Sequence, residues 1–257
     1  MTDGIDLTRD GDVARLTLTR PAKMNAITHE MWSAIPEVVA AVESDPAVKV
    51  LVLAGEGEHF SAGADIGEFR QLRSTPEGVA AYDRAVDAAV DALAGASKPS
   101  IAMIQGNCIG GGCQLSVACD LRFAAPGARF GITPAKLGIV YHFESTRLLT
   151  ELVGPAQARY LLLSGNLVDA SRAREIGLVT DVFDDLETQA GEFAATLCAR
   201  SQASVRGMNR IIGKIAAGMT EPDAEVHALR EDAARGADYA EGVAAFLERR
   251  APNFTHR

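Results

Sequence analysis

The chain has 257 residues, 47% of them hydrophobic and 23% charged, which supplies core for one large domain or for a domain with an appendage. Its formal net charge of −9, with no run of Lys or Arg longer than a pair, argues against nucleic-acid binding, RNA included. The opening MTDGIDLTRDGD is polar and acidic, so no secretory leader is expected. The most apolar region, residues 101–121, is interrupted by Gln105, Asn107, Gln114 and four glycines, so no bilayer span is expected either. The four cysteines show no CxxC spacing and three lie in apolar surroundings, which predicts reduced buried thiols and a cytoplasmic location. No HExxH, P-loop pattern or His/Cys cluster is present, so no metal site is expected.

In chain order, residues 13–20 (VARLTLTR) alternate apolar and polar side chains and predict a strand. Residues 28–42 carry apolar side chains at helical spacing, with Thr28 as N-cap and Glu30 and Glu37 on the wet side. Residues 48–55 (VKVLVLAG) form a nearly continuous apolar strand of the kind covered on both faces. After the small-residue loop FSAGADI (60–66) a helix is predicted over about 76–96, then a buried strand over 98–106, a short buried helix over 111–119 and a strand over 120–125. Recurring strand and helix with glycine-rich turns after strands define an α/β architecture. A helix starting near 143 runs to about residue 152. Further helices are predicted over 155–164, 170–176, 186–200, 204–217 and 222–249, with one strand over 177–183. We therefore divide the chain into an α/β core, 1–195, and a helical region, 196–257, whose lack of strands suits oligomerisation.

Two loops share one composition: FSAGADI, and GNCIGGGCQL at 106–115. Gly and Ala let a ligand approach the backbone, leaving N–H groups as donors. Taken singly, each loop reads equally as a tight turn after a buried strand. Taken together, two converging N–H groups can hold a carbonyl oxygen as it becomes an enolate, and the helix opened by residues 110–112 adds its positive end. The glycines do not match the dinucleotide fingerprint GxGxxG.

The order RPAKMNAI, FSAGADI, GNCIGGGCQLSVACDLRFA, FGITPAKLGI and AFLERRAPNF resembles the enoyl-CoA hydratase/isomerase (crotonase) superfamily from end to end. That resemblance implies a spiral of ββα units with a helical C-terminal trimerisation region, a homotrimer or a dimer of trimers. It also implies acyl-CoA substrates, coenzyme A being the substrate carrier and no separate cofactor being required. It places the oxyanion donors on the N–H groups of Ala64 and Gly111, and the coenzyme A groove at Lys23, Asn25 and Ala26. Ala62 and Ile66 would flank the thioester, and a phosphate-contacting cation in the last helix would be Arg249, beside Phe246. Lys23 and Arg249 read equally as solvated surface charges.

Departures from the family pattern bear on the reaction. The two glutamates of its hydratases fall on Gln114 and Pro134. Glutamine exchanges no proton near neutrality and proline has no side-chain proton. An ordinary hydratase is therefore not expected. TPAKLGIVY is similar to the TPxxLGxxY stretch of methylmalonyl-CoA decarboxylase-like members, where the tyrosine positions the substrate carboxylate; here it is Tyr141. Those members differ at the positions of Ala64 and Gln114. Tyr141 reads otherwise as a packed aromatic. Glu144 is either a first-turn helix carboxylate or a displaced acid/base, and His142 either an idle surface histidine or a proton shuttle. The expectation is an enolate-stabilising lyase, with a malonyl-type decarboxylase first. The alternatives are a hydratase or isomerase working through Glu144 or His142, a related carbon–carbon hydrolase, and a non-catalytic acyl-CoA binder.

Overall fold

The first two strands form a hairpin in the computed structural model, which describes residues 2–255. β1 (Ile5–Asp10) runs antiparallel to β2 (Val13–Leu18), and β2 buries Ala14, Leu16 and Leu18. α1 (His29–Ser44) starts on Thr28, whose hydroxyl accepts from the Met31 N–H at 3.2 Å, and it buries Met31, Trp32, Ile35, Val39 and Val42. β3 (Val50–Gly55) is buried throughout. A 3-10 turn leads into α2 (Phe69–Leu72), and α3 (Pro76–Ala94) begins on Thr75, which accepts from Gly78 N. Then come β4 (Ser100–Ile104), β5 (Asn107–Ile109), α4 (Gly111–Ala118), β6 (Leu121–Ala124) and β7 (Arg129–Gly131). The rest is α5 (Phe143–Ser164), β8 (Val168–Asp169), α6 (Ala170–Glu175), β9 (Asp181–Val182), α7 (Leu186–Cys198), α8 (Gln202–Ala216), α9 (Ala224–Arg235) and α10 (Ala237–Glu248).

The strands form two sheets. The larger has the order β1-β2-β3-β4-β6-β9 and is parallel except at the hairpin; the smaller has the order β5-β7-β8. β4, β5 and α4 make one turn of strand, short strand and helix, and β6, β7 and α5 make the next. β3 opens the preceding turn. Its second strand shrinks to Ser61, bridged in parallel to Cys108 on β5. The expected spiral of ββα turns is therefore the observed fold, and it sets the two small-residue loops side by side as equivalent corners of successive turns.

The continuous apolar runs follow from burial of both sheet faces. Leu51 and Leu53 of β3 join the core with Trp32 and Ile35 of α1, while Val50 and Val52 pack with Leu186 and Ala190 of α7. Lys98 is buried at 1% exposure, and its ammonium is satisfied by the carbonyls of Val42 and Asp45 at 2.5 and 2.6 Å.

Several segments differ from the sequence reading. β1 was not expected, because Ile5 alone among its side chains is fully buried and its pairing to β2 is made by backbone groups. The strand predicted over 98–106 ends at Ile104, and the chain turns through Gly106 (φ +54°) into β5. Of the strand predicted over 177–183, Asp181–Val182 pairs. The helix predicted over 222–249 is two, broken where Gly236 is extended (φ −73°, ψ 155°). After β9 no strand occurs among the described residues. α8 and α10 leave Met208, Ile212, Tyr239, Phe246 and Leu247 exposed. No helix among the described residues is long and apolar enough to cross a membrane.

Candidate active site

From Phe60 to Asp65, nearly every backbone N–H of the first loop is engaged. Phe60 donates to Gln105 O, Ser61 to Asn107 O, Ala62 to Met24 O and Asp65 to Ile27 O, all at 2.8–2.9 Å, and Gly63 donates to Ser61 Oγ at 3.1 Å. Ala64 is passed over: the parallel bridge it forms with Ile27 is made by Gly63 O and Asp65 N, and the Ala64 N–H has no acceptor among the described residues. In the second loop Gly110 N donates to Gly131 O, and the first bond of α4 runs from Gln114 N to Gly110 O. The N–H of Gly111 is thus one of the unsatisfied donors at a helix start.

The two amide nitrogens lie close together. A Cβ built on Gly111 would stand 3.2 Å from Ala64 N, and one built on Gly63 would stand 3.2 Å from Gly111 N. Both positions require glycine. The Gly63 backbone is left-handed (φ +100°), and its Cβ would meet Ile109 O at 2.8 Å; a Cβ on Gly111 would meet the Trp32 ring at 2.8 Å. Two donors without protein acceptors, at the positive end of a helix, are suited to an oxygen that gains negative charge.

Beside these amides lies a cavity of about 140 Å³, bordered by Ala62, Ala64, Ile66, Gly111, Gln114, Pro134, Tyr141 and His142 of the predicted residues. Gln114 is buried and donates through Nε2 to Ser145 Oγ at 3.1 Å. Burial pushes the Tyr141 phenol well above its ordinary range, aided by the nearby thiols Cys113 and Cys108. The His142 ring sits with Nδ1 2.7 Å from Asp87 Oδ1. No Asp or Glu is among the described residues lining the cavity.

Other predicted residues lie elsewhere. Glu144 does not border the cavity; its carboxylate is gripped by Arg147, whose hydrogen bonds hold it below the usual carboxylate range. Asn25 is fully buried with φ +54°, and its side chain accepts from Arg20 N and donates to Glu56 O and His59 O at 2.9 and 2.6 Å. It therefore clamps the loop preceding residue 60. Ala26 receives Arg20 Nη1 on its carbonyl, while Arg20 also pairs with Asp65 at 2.9 Å. Lys23 is exposed on a 3-10 turn. Phe246 is 83% exposed near the end of α10, and Arg249 is exposed at its C-cap; neither borders the cavity.

Sequence reasoning missed Trp32, Phe69, Arg73 and Tyr82, all of which line the cavity. Arg73 bonds to Asp83 at 2.6 Å and stacks 5.2 Å from the Phe69 ring centre and 5.1 Å from that of Tyr82. Burial raises the Tyr82 phenol to about 12. These residues carry no motif. The available signal was the i, i+4 spacing of Asp83 and Asp87, which places two carboxylates on one face of α3.

The family profile described as enoyl-CoA hydratase/isomerase matches residues 8–257. A crotonyl-CoA hydratase from Syntrophomonas wolfei is 35% identical over 263 residues, covering 98% of each chain. A 1,2-epoxyphenylacetyl-CoA isomerase from Escherichia coli is 32% identical over 249 residues, covering 95% of each. The crystal structure of an enoyl-CoA hydratase/isomerase family protein from Hyphomonas neptunium superposes with a TM-score of 0.95 at 36% identity, covering 99% of this chain and 98% of that one. The fold is an α/β scaffold in which two neighbouring backbone amides lie beside a cavity. The chain belongs to the enoyl-CoA hydratase/isomerase family.

Proposed function

We propose that the chain acts on acyl-CoA thioesters and holds an enolate oxygen between the amides of Ala64 and Gly111, forming that enolate by decarboxylating a malonyl-type acyl group. The observation that carries this reading is a cavity with two free amides and no lining carboxylate. Loss of carbon dioxide leaves its bonding electrons on the α-carbon, so the step needs anion stabilisation and no base. Gln114, in place of an acid, puts no like charge beside the substrate carboxylate, and Tyr141, which also borders the cavity, would orient it.

Parallel incubation with methylmalonyl-CoA, malonyl-CoA and crotonyl-CoA tests the proposal. Carbon dioxide release that survives Glu144→Gln supports it. Hydration of crotonyl-CoA with no carbon dioxide from either malonyl thioester contradicts it, and so does tight binding of all three without turnover.

A second reading, hydration or double-bond isomerisation, is favoured by one observation: His142 borders the cavity. With both lining tyrosines raised by burial, His142 is the lining side chain of a type that exchanges protons near neutrality. Loss of crotonyl-CoA turnover in His142→Gln would identify it.

The same proposal takes the apolar residues exposed on α8 and α10 as subunit contacts of a trimer or a dimer of trimers. Sedimentation as a 27.1 kDa species would contradict that assembly.

A further inference from the structure

α3 turns two carboxylates toward the start of α5, and they are not equivalent. Asp83 is engaged by Arg73, whose Nη1 donates to its Oδ1 at 2.6 Å. Asp87 has one hydrogen-bond partner among the described residues, the Nδ1 of His142 at 2.7 Å. The other ring nitrogen, Nε2, is 3.6 Å from Asp83 Oδ1, beyond a good hydrogen bond and facing an oxygen that Arg73 already holds. His142 therefore has one nitrogen fixed by a carboxylate and one with no hydrogen bond among the described residues, and it borders the cavity that Ala64 and Gly111 also line. Glu144, two residues along, does not compete for the ring, because Arg147 binds it.

We propose that Asp87 is a positioning residue that makes His142 the proton-moving group of this site, acting at the carbon beside the thioester. This rests on the enolate reading given above. Asp87 accepts from Nδ1–H, fixing the tautomer in which Nε2 carries the lone pair. Nε2 takes a proton from the α-carbon, the C–H electron pair becomes the enolate double bond, and the carbonyl oxygen takes the negative charge opposite the two amides. The imidazolium, paired with Asp87, then returns a proton to the α-carbon and is neutral again. When the enolate arises by loss of carbon dioxide, protonation of the α-carbon is the step His142 performs, and solvent water restores its proton. Sequence reading had no route to this pair, since the two residues are 55 positions apart and meet only because α3 packs against the start of α5.

The test uses butyryl-CoA, which cannot lose carbon dioxide, in deuterium oxide, with deuterium at the α-carbon followed by mass spectrometry and Kd measured by calorimetry. Wild type is expected to exchange. His142→Gln should slow exchange on the order of 100-fold or more, and Asp87→Asn roughly 10- to 100-fold, with Kd and Tm unchanged. Asp87→Glu, which keeps the carboxylate, should recover part of the rate. If Asp87 were merely structural, Asp87→Asn would lower Tm or weaken Kd and leave exchange in the bound complex intact; that result overturns the proposal. Exchange in wild type that neither substitution slows overturns the pair and leaves the enolate reading standing. No exchange in wild type overturns the pair, while the enolate reading is judged separately by carbon dioxide release from methylmalonyl-CoA.

Discussion

Gly111→Ala is expected to abolish turnover while leaving a folded protein. The added Cβ would stand 2.8 Å from the Trp32 ring and 3.2 Å from Ala64 N, which places a methyl group between the two donors. Removing one donor of this type costs on the order of 100- to 1,000-fold in kcat, and a methyl in the gap obstructs both. Overpacking against Trp32 adds a stability cost of about 1–3 kcal/mol, which a well-packed α/β domain survives. Gly127→Ala is the control, because a Cβ there meets nothing within 4 Å. The readouts are kcat with whichever thioester the wild type turns over, and Tm. Retention of wild-type kcat in Gly111→Ala would contradict the assignment of the paired amides.

Arg122→Met is expected to produce the largest stability loss. Arg122 is 4% exposed, and burial lowers its pKa from the ordinary guanidinium range. It remains in place because four of its five N–H donors are used: Nε reaches Leu178 O at 2.9 Å, Nη1 reaches Ser116 O and Cys119 O at 3.2 and 2.6 Å, and Nη2 reaches Asp120 O at 3.3 Å. A cation at the C-terminal end of α4 complements that helix's dipole, and α4 carries Gly111 at its other end. Methionine has similar bulk but donates nothing, so buried carbonyls lose their partners at about 1–3 kcal/mol each. A total of ~3–5 kcal/mol is expected, read as a lower urea midpoint with an unchanged m-value. A loss below ~1 kcal/mol would mean that other donors or water reach these carbonyls.

What the sequence displayed was governed by local chemistry. Alternation in VARLTLTR, the nearly continuous apolar run in VKVLVLAG and the Thr28 cap all act within a few residues, and each became the element expected. The two small-residue loops stood out by composition, because backbone packed as closely as at Gly63 and Gly111 leaves no room for a Cβ. What escaped depended on distance. β1 is held by backbone pairing that its polar side chains do not advertise, and the second sheet consists of strands of two or three residues, too short to show a period. The break at Gly236 fell within one apolar helical pattern because glycine permits either conformation. Asn25 matched a binding motif, yet its left-handed backbone buries the amide against Glu56 and His59. Arg73, Tyr82 and Asp87 reached the site or its edge through helix packing, which no pattern along the chain encodes.

A crystal structure of the protein with a stable acyl-CoA analogue bound tests the central claim most directly. The thioester oxygen should lie about 2.7–3.1 Å from both Ala64 N and Gly111 N, with the acyl group in the cavity bordered by Tyr141 and His142. A thioester oxygen bound elsewhere, or held by only one of those amides, would contradict it.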